Sequence, residues 1–358
     1  MIPLFRRSAY SPIGLDIRHA EIHAAQFRTR GSKSHLVAAA SEFVDAEKGA
    51  QGELEALTSL LSTGQFRGKS VVCSLRNEEV HTRPLLMPAG ITPDDPHRFR
   101  TALLEEVQTT LNIDPENAIV DYLPFGMKMM DEEERFSLLL VAVGMEVVNR
   151  YVSLFKATGL HCEHLDIGPC ALNRVLKNED RTYCLINLDD DSTQVSIGKS
   201  GNLLFSRTLR VGTRTMIGEL MQALSLPESE AVYLLQTYGC ATSLEDNTNL
   251  IQRPGEVNQA MLAGAVYEVC SKLFDSFAME VKRSIDYYMR QRGHGAVEES
   301  MILGTRLPCN IENFLRDRLS VPVSSLDVFS RMGIGHSSTL RDSDRYAVAT
   351  GLALRDVR

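Results

Sequence analysis

Three stretches of this chain gather charged and hydroxyl side chains, the types that can hold phosphates or divalent cations. The first is Asp16-Ile17-Arg18-His19-Ala20-Glu21-Ile22-His23, a charged turn between two apolar segments. Arg18 could reach a phosphate from there, although an arginine on an exposed turn is more often solvated. The second is Asn187-Leu188-Asp189-Asp190-Asp191-Ser192-Thr193, three consecutive carboxylates followed by two hydroxyls. Such a run could hold a divalent cation, while the commoner use of three acids in a hairpin turn is a solvated Asx-type turn. The third is the set Glu280, Arg283 and Ser284 on a long amphipathic segment, with a lone glycine, Gly304, after the apolar pair Ile302-Leu303. Polar residues in that setting read equally well as a solvated helix face.

Composition narrows what these residues can do. With 358 residues and 44% hydrophobic content the chain can bury a large core, and its length favours two or more compact units. The formal net charge of -8 comes from 46 acidic and 38 basic residues spread along the chain, so no basic field exists to gather nucleic acid. The cysteines (Cys73, Cys162, Cys170, Cys184, Cys240, Cys270, Cys309) are odd in number and never form a C-x-x-C pair. That pattern argues against a disulfide frame or a zinc site and fits a reducing compartment, each thiol serving as a small apolar side chain. No apolar run approaches the ~18 residues of a membrane span, and Met1–Phe5 ahead of Arg6 and Arg7 is too short for a secretory signal core. A cytoplasmic location is expected.

The elements that must position the three stretches can be read from periodicity. Ile13–Ile17, Glu21–Phe27 and Ser34–Ala40 read as a three-strand meander, with Arg30-Gly31-Ser32-Lys33 as its second turn, and a helix near Glu53–Leu61 and a buried strand Ser70–Ser74 follow. The block Leu75–Gly159 reads as a small α+β unit. Its first helix is capped by Asp95 with Pro96 at the first helical position, and Phe99, Leu103, Val107 and Leu111 line one face. In its second helix Val148, Val152 and Phe155 are expected to form the apolar stripe, closed by Gly159. A second meander then begins with Tyr183–Leu188, Thr193–Gly198 and Leu203–Leu209. Helices are expected at Thr213–Leu224, Glu228–Gln236 and Gln259–Arg292, and a strand, helix, strand and closing helix end the chain. Two halves that each open with a meander suggest duplication at the level of the fold.

Three segments carry a resemblance to a known family: Ser11-Pro12-Ile13-Gly14-Leu15-Asp16-Ile17, then Met145-Glu146-Val147-Val148-Asn149-Arg150-Tyr151 with Ala157-Thr158-Gly159-Leu160, then Glu280-Val281-Lys282-Arg283-Ser284-Ile285-Asp286-Tyr287-Tyr288. From about Ser11 to Arg355 the chain resembles the type IV pilus assembly family PilM, related to the division protein FtsA and to actin. The resemblance implies an α/β fold of the actin-like (ribonuclease H-like) class, two duplicated lobes with an inserted small α+β subdomain. Residues 1–74, 160–180 and 335–358 would form the N-terminal lobe, 75–159 the insert and 181–334 the C-terminal lobe. It further implies a scaffold at the inner face of the cytoplasmic membrane, peripheral to it, that binds the N-terminal peptide of a PilN-like bitopic membrane protein and works with other pilus assembly proteins. Self-association is left open. The family's peptide groove lies between the N-terminal lobe and the insert, which places partner contacts at Leu85, Leu86, Met87, Tyr122, Leu123 and Phe125.

The same resemblance tests the nucleotide stretches position by position. In the family the first phosphate turn reads Asp-Ile-Gly, then small hydroxyl residues and a lysine, since backbone amides must approach a phosphate closely. Here Asp16 is kept, Arg18 replaces the glycine and His23 stands at the lysine position. In the second turn three carboxylates replace the glycine and its neighbours, and each at ~4 Å from a triphosphate costs on the order of 1 kcal/mol even in water. Only Gly304 remains of the adenosine turn's glycines, while Glu280, Arg283 and Ser284 match positions that contact adenosine in relatives. If ATP and Mg²⁺ bind, the candidates are Asp16, Arg18, Asp189, Ser192, Thr193, Glu280, Arg283, Ser284 and Gly304. The expected reading is a scaffold and pseudo-ATPase without catalytic residues, resident metal or cofactor. The alternative is an ATP/Mg-binding actin-like switch or slow ATPase in the same pathway. A sugar or carboxylate kinase on this fold would need an aspartate base beside an acceptor pocket, and nothing marks one.

Overall fold

The computed structural model describes residues 9–30, 33–111, 113–130, 133–177, 179–241, 259–290, 295–332 and 343–355. In chain order the elements are β1 (Ala9–Tyr10), β2 (Ile13–Ile17), β3 (Glu21–Arg30), β4 (Lys33–Phe43), α1 (Ala50–Ser62), β5 (Ser70–Leu75), β6 (Val80–Met87), α2 (Pro96–Glu106), β7 (Ala118–Met130), β8 (Glu133–Gly144), α3 (Met145–Ala157), β9 (His161–Ile167) and α4 (Gly168–Val175). There follow β10 (Tyr183–Leu188), β11 (Thr193–Lys199), β12 (Asn202–Leu209), α5 (Thr213–Leu224), α6 (Glu228–Thr237), α7 (Gln259–Arg290), β13 (Glu299–Leu303), α8 (Ile311–Arg316), β14 (Val323–Ser325), α9 (Val328–Arg331) and α10 (Ala347–Ala353). The basic pair Arg6 and Arg7, the turn residues Gly31 and Ser32, and positions 291–292 of the long helix lie outside the described residues.

The chain divides into two units, one of Met1–Glu179, Lys199–Phe205 and Asp327–Arg358, the other of Asp180–Gly198 and Ser206–Leu326. In the first, β3, β2, β5 and β9 lie side by side, β4 pairs along the free edge of β3, and β1 pairs with β3 at Thr29 and Arg28. β3 runs antiparallel to β2, whereas β5 and β9 add in parallel. The second unit has the order β12-β11-β10-β13-β14, with β10 antiparallel to β11 and parallel to β13, and β13 parallel to β14. The same plan, a meander extended by two parallel strands, thus occurs twice. Strands covered on both faces read as continuous apolar runs, and β2, β10 and β13 are buried at every residue.

The insert makes a third, separate sheet, β6-β8-β7, antiparallel throughout. α2 covers one face of it: Phe99, Leu103 and Val107 pack with Leu85, Met87, Phe136, Leu138, Leu140 and Ala142. The second helix departs from the expected stripe. Val152 is 49% exposed, while Tyr151, Leu154 and Phe155 are buried and join Leu15, Leu57 and Val71 in the core of the main sheet. The i, i+3, i+4 spacing of those three sets the buried face, so α3 belongs to the main core and not to the insert's. α9, placed with the C-terminal lobe by sequence, lies in the first unit, where Phe329 stacks on Tyr346 at 6.4 Å.

α10 closes the first unit at unusually short range. All seven of its residues, Ala-Val-Ala-Thr-Gly-Leu-Ala, are buried. A Cβ on Gly14 of β2 would lie 1.9 Å from the carbonyl oxygen of Ala349, and one on Gly351 would lie 1.8 Å from that of Ala171 in α4. Small residues therefore let strand, α4 and α10 meet backbone to backbone. All seven cysteines are free thiols. Burial pushes Cys170, Cys184 and Cys270 up to about 12 and Cys162 up to about 11, which suits packing residues and not nucleophiles. No helix among the described residues is long and apolar enough to cross a membrane.

The close approach makes Gly351→Ala an overpacking change at backbone, expected to cost at least about 1–3 kcal/mol. Gly218→Ala, on the exposed face of α5 with nothing near its Cβ, is expected to gain about 0.5–1 kcal/mol. Urea unfolding midpoints at unchanged m-value check both signs.

Candidate functional site

The turn between β2 and β3 is built around a buried ion pair. Asp16 is 7% exposed and Arg18 8%. Arg18 Nε donates to Asp16 Oδ2 at 2.8 Å, and Ser74 Oγ at the end of β5 donates to Asp16 Oδ1 at 3.0 Å. The solvated arginine expected here is corrected: the Asp16 carboxylate, carried inward by an all-buried strand, draws the guanidinium in with it. The turn's carbonyls are taken as well. Arg76, the residue after β5, donates from Nε to Ile17 O at 3.2 Å and from Nη2 to Arg18 O at 3.3 Å, while its Nη2 also meets Glu53 Oε1 at 2.6 Å. His23, at the lysine position, is fully buried, 3.1 Å from Glu21 Oε2 and edge-on to Tyr346 at 5.8 Å. The imidazole contact holds the Glu21 carboxyl below its usual range, against the opposing pull of burial.

In the second unit the acidic turn is tied down residue by residue. Asp189 N–H donates to Ser192 O at 3.0 Å, and Asp190 N–H to Asp189 Oδ1 at 2.9 Å. The first amides of α5 donate back to the turn, Thr213 to Asp189 O at 3.0 Å and Arg214 to Asp190 O at 2.9 Å. Gly212 allows this, since a Cβ there would sit 2.1 Å from Asp190 O. Thr213 Oγ1 donates to Asp190 Oδ1 at 3.0 Å, Arg214 Nε to Asp191 Oδ1 at 2.7 Å, and Arg306 Nε lies 3.8 Å from Asp190. Thr193 Oγ1 donates to Val211 O at 2.6 Å. The solvated Asx-type turn is thereby corrected in part: Asp190 and Ser192 are each only 9% exposed, while Asp191 meets solvent as expected. A helix N-terminus is an anion site when its amides are unsatisfied, and two of those of α5, Thr213 and Arg214, are spent on the turn itself. Among the described residues no set of three or more His, Cys, Asp or Glu side chains is arranged to hold a metal ion.

The adenosine candidates fall into two places in the second unit. Ser284 is fully buried, donates to Glu280 O at 2.9 Å and accepts from Arg207 Nη1 of β12 at 3.3 Å. The Glu280 carboxylate is claimed by Arg207 Nη2 at 2.9 Å and Arg283 Nη1 at 2.5 Å. Gly304 is a packing glycine: its φ is +159°, and a Cβ would lie 2.2 Å from Leu188 O. Glu280, Arg283 and Ser284 thus form one cluster with Arg207, Asp189, Ser192 and Thr193 a second, and Asp16 with Arg18 a third. In this arrangement Asp16 is paired with Arg18, Asp190 and Asp191 face Arg306 and Arg214, and the Thr213 and Arg214 amides of α5 are bonded to the turn.

The partner candidates separate by face. Leu85 and Met87 are core beneath α2, and Tyr122 packs edge-on to Phe99 at 4.9 Å on the same side, so these three are not open contact surface. Leu86 is 39% exposed on the opposite face, opposite Ser137, and Leu123 shares that face opposite Leu139. Phe125 sits at the bulge between Pro124 and Gly126, with Lys128 Nζ 6.0 Å from its ring. Arg76, Glu53, Arg214 and Arg306 were not singled out by sequence reasoning. The one signal for Arg76 was its place immediately after an apolar strand; the others look like ordinary surface charges.

No family model matches the chain, and no curated protein does. Among solved structures it is similar to the matched chain of a PilM-PilN type IV pilus biogenesis complex, with TM-score 0.75, 19% identity, 97% of this chain and 99% of that one covered. It is also similar to the ethanolamine utilization protein EutJ from Carboxydothermus hydrogenoformans, with TM-score 0.55, 13% identity, 97% of this chain and 89% of that one covered. The fold is the actin-like α/β fold, and its likeness to PilM is structural over nearly the whole chain.

The lowered carboxyl of Glu21 gives a signed pH dependence. A carboxylate held below its unfolded value stabilises the fold above about pH 4 and loses that contribution as the pH falls through the lowered value. Glu21→Gln is therefore expected to be less stable than the parent chain at pH 7, and the difference is expected to shrink as the pH is lowered into the acid range. Urea titrations at pH 7 and in the acid range check it.

Proposed function

We propose that this chain is a docking scaffold of a type IV pilus or related secretion machine, stationed at the inner face of the cytoplasmic membrane, whose insert receives the N-terminal peptide of a PilN-like membrane protein. The structural likeness to a chain solved in a PilM-PilN complex, over 97% of the present chain, carries this reading. On the side of the β6-β8-β7 sheet away from α2, the outer-strand residues Leu86 and Ile119 are 39% and 41% exposed, and with Leu123 they offer apolar ground for such a peptide at the sheet's margins.

The nucleotide turns act in this reading as closed structural joints. For a triphosphate to reach Asp16 and its neighbours, Arg18 must leave a buried carboxylate, and an uncompensated buried charge costs about 3–5 kcal/mol. Micromolar affinity corresponds to about 8 kcal/mol, so the rearrangement alone removes roughly half of it. Nucleotide is expected to be a poor ligand at physiological concentration, and no catalytic role is assigned.

Calorimetric titration of the purified chain with Mg²⁺–ATP is expected to show no saturation below about 1 mM. Micromolar binding abolished by Asp16→Ala would establish the ATP-switch reading instead. For docking, deletion of the whole insert region is a poor probe because α3 belongs to the main core. Leu86→Glu is the better one: co-purification with a PilN-like protein is expected to fall at least about tenfold, since one buried apolar contact is worth about 1.5–3 kcal/mol, with circular dichroism unchanged. Undiminished co-purification refutes the placement.

A further inference from the structure

The insert joins the main body through two short connections, and one side chain touches both. The first runs from Arg76 through the single 3-10 turn Asn77–Glu79 into β6. The second leaves β8 at Gly144 and becomes α3, which carries Arg150 and Tyr151. Glu79 lies between them. Its Oε2 accepts from Tyr151 Oη at 2.9 Å and from the backbone N–H of Arg76 at 3.4 Å. Its Oε1 pairs with Arg150 Nη2 and lies 3.7 Å from Arg76 Nη1. Side-chain exposure is 11% at Glu79 and 7% at Arg76, and Tyr151 is 1% exposed, its phenol pushed well up by burial. Arg150 also lies over the Tyr151 ring, 5.0 Å from its centroid.

The same Arg76 holds the turn that carries Asp16 and Arg18, through the carbonyls of Ile17 and Arg18. Glu53 of α1 is its remaining anchor. A guanidinium has a rigid planar fork, so moving one of its partners reorients the bonds to the others. We infer that Glu79 is a latch: it ties the two connections of the insert to each other and, through Arg76, to the Asp16 turn, so that displacement of the insert by a docked peptide loosens that turn. The inference rests on the reading of the insert as a docking element. It adds a use for the former phosphate turn, which becomes the receiver of the insert's position. Coupling of this sort needs a contiguous set of contacts that two sites share, and here Tyr151 donates to Glu79, Glu79 accepts from the Arg76 backbone and lies 3.7 Å from its guanidinium, and that guanidinium donates to Ile17 O.

Hydrogen exchange read by mass spectrometry on the full chain tests it, without any partner present. In Glu79→Ala the amides of the turn, Arg18 among them, and those of Val80–Thr82 and Met145–Tyr151 are all expected to exchange at least about tenfold faster, while the strands of the second unit keep their protection. Glu55→Ala, which breaks an exposed pair with Lys48, is the control and is expected to leave all of these segments unchanged. Faster exchange at the two connections with an unchanged turn would overturn the latch. Should Glu79→Ala fail to fold, Glu79→Gln keeps the shape and an acceptor for Tyr151, and the same pattern is expected at about threefold; a turn as protected as in the parent chain overturns the inference in that variant too. A failed latch leaves the docking reading intact, whereas undiminished co-purification of Leu86→Glu removes the docking surface and leaves the exchange result standing.

Discussion

An ionised carboxylate taken out of water must be answered by a cation within a few ångströms, or the fold that buries it does not persist. This chain buries several and answers each with arginine. Asp16 has Arg18 and Asp190 has Arg306, and the same pairing recurs nearer the surface, where Asp191 meets Arg214 and Glu280 meets Arg207 and Arg283. Glu53 and Glu79 share Arg76, and Asp166 at the end of β9 meets Arg174 at 2.5 Å and Arg355 at 2.6 Å. The choice has a chemical reason. A guanidinium keeps its charge at any accessible pH and spreads several donors over one carboxylate and nearby carbonyls. Joints made this way do not open through loss of a proton on the cationic side.

That constraint explains why the regions with the most chemical promise are also the most tightly bonded. A relative that binds a triphosphate needs amides and cations facing empty space. Here the amides at the start of α5 point into carbonyls of the acidic turn, and the arginines point into carboxylates of their own unit. The exposed apolar residues of the β6-β8-β7 sheet, Leu86 at 39% and Ile119 at 41%, stand outside this bonded set, which is where a protein surface is free to meet a partner.

Much of the fold was legible because it rests on periodicity. The two meanders, the Asp95-Pro96 start of α2 with its Phe99, Leu103, Val107 stripe, and the buried run Phe277, Val281, Ile285, Tyr288 of α7 are all local patterns, and the structure has each of them. In α3 the expected Val148 and Phe155 do face the main core, and only Val152 was misread, because it is as apolar as Tyr151 and Leu154 and only the surrounding core decides which of them faces inward. The candidate site was legible in position and not in state. Charge alone suggested that Arg18 and Asp190 meet solvent, as Asp191 does, whereas their burial depends on Ser74, Thr213 and Arg306, up to more than a hundred residues away. Leu85 and Met87 illustrate the same limit, since alternation along β6 makes neighbours of core and surface.

α10 has one more implication, for the order in which the molecule forms. Its glycine and alanines seal the central strand of the first sheet against α4, yet it is separated from both by the whole of the second unit. During synthesis the second unit has all its strands and helices available before the piece that completes the first has emerged. The earlier half of the polypeptide must therefore wait, with β2 uncovered on one side, for a helix that follows the whole second unit in chain order. Cells that express this chain would be expected to shield that bare strand during the interval, and truncation near the tail should harm the beginning of the protein more than its middle.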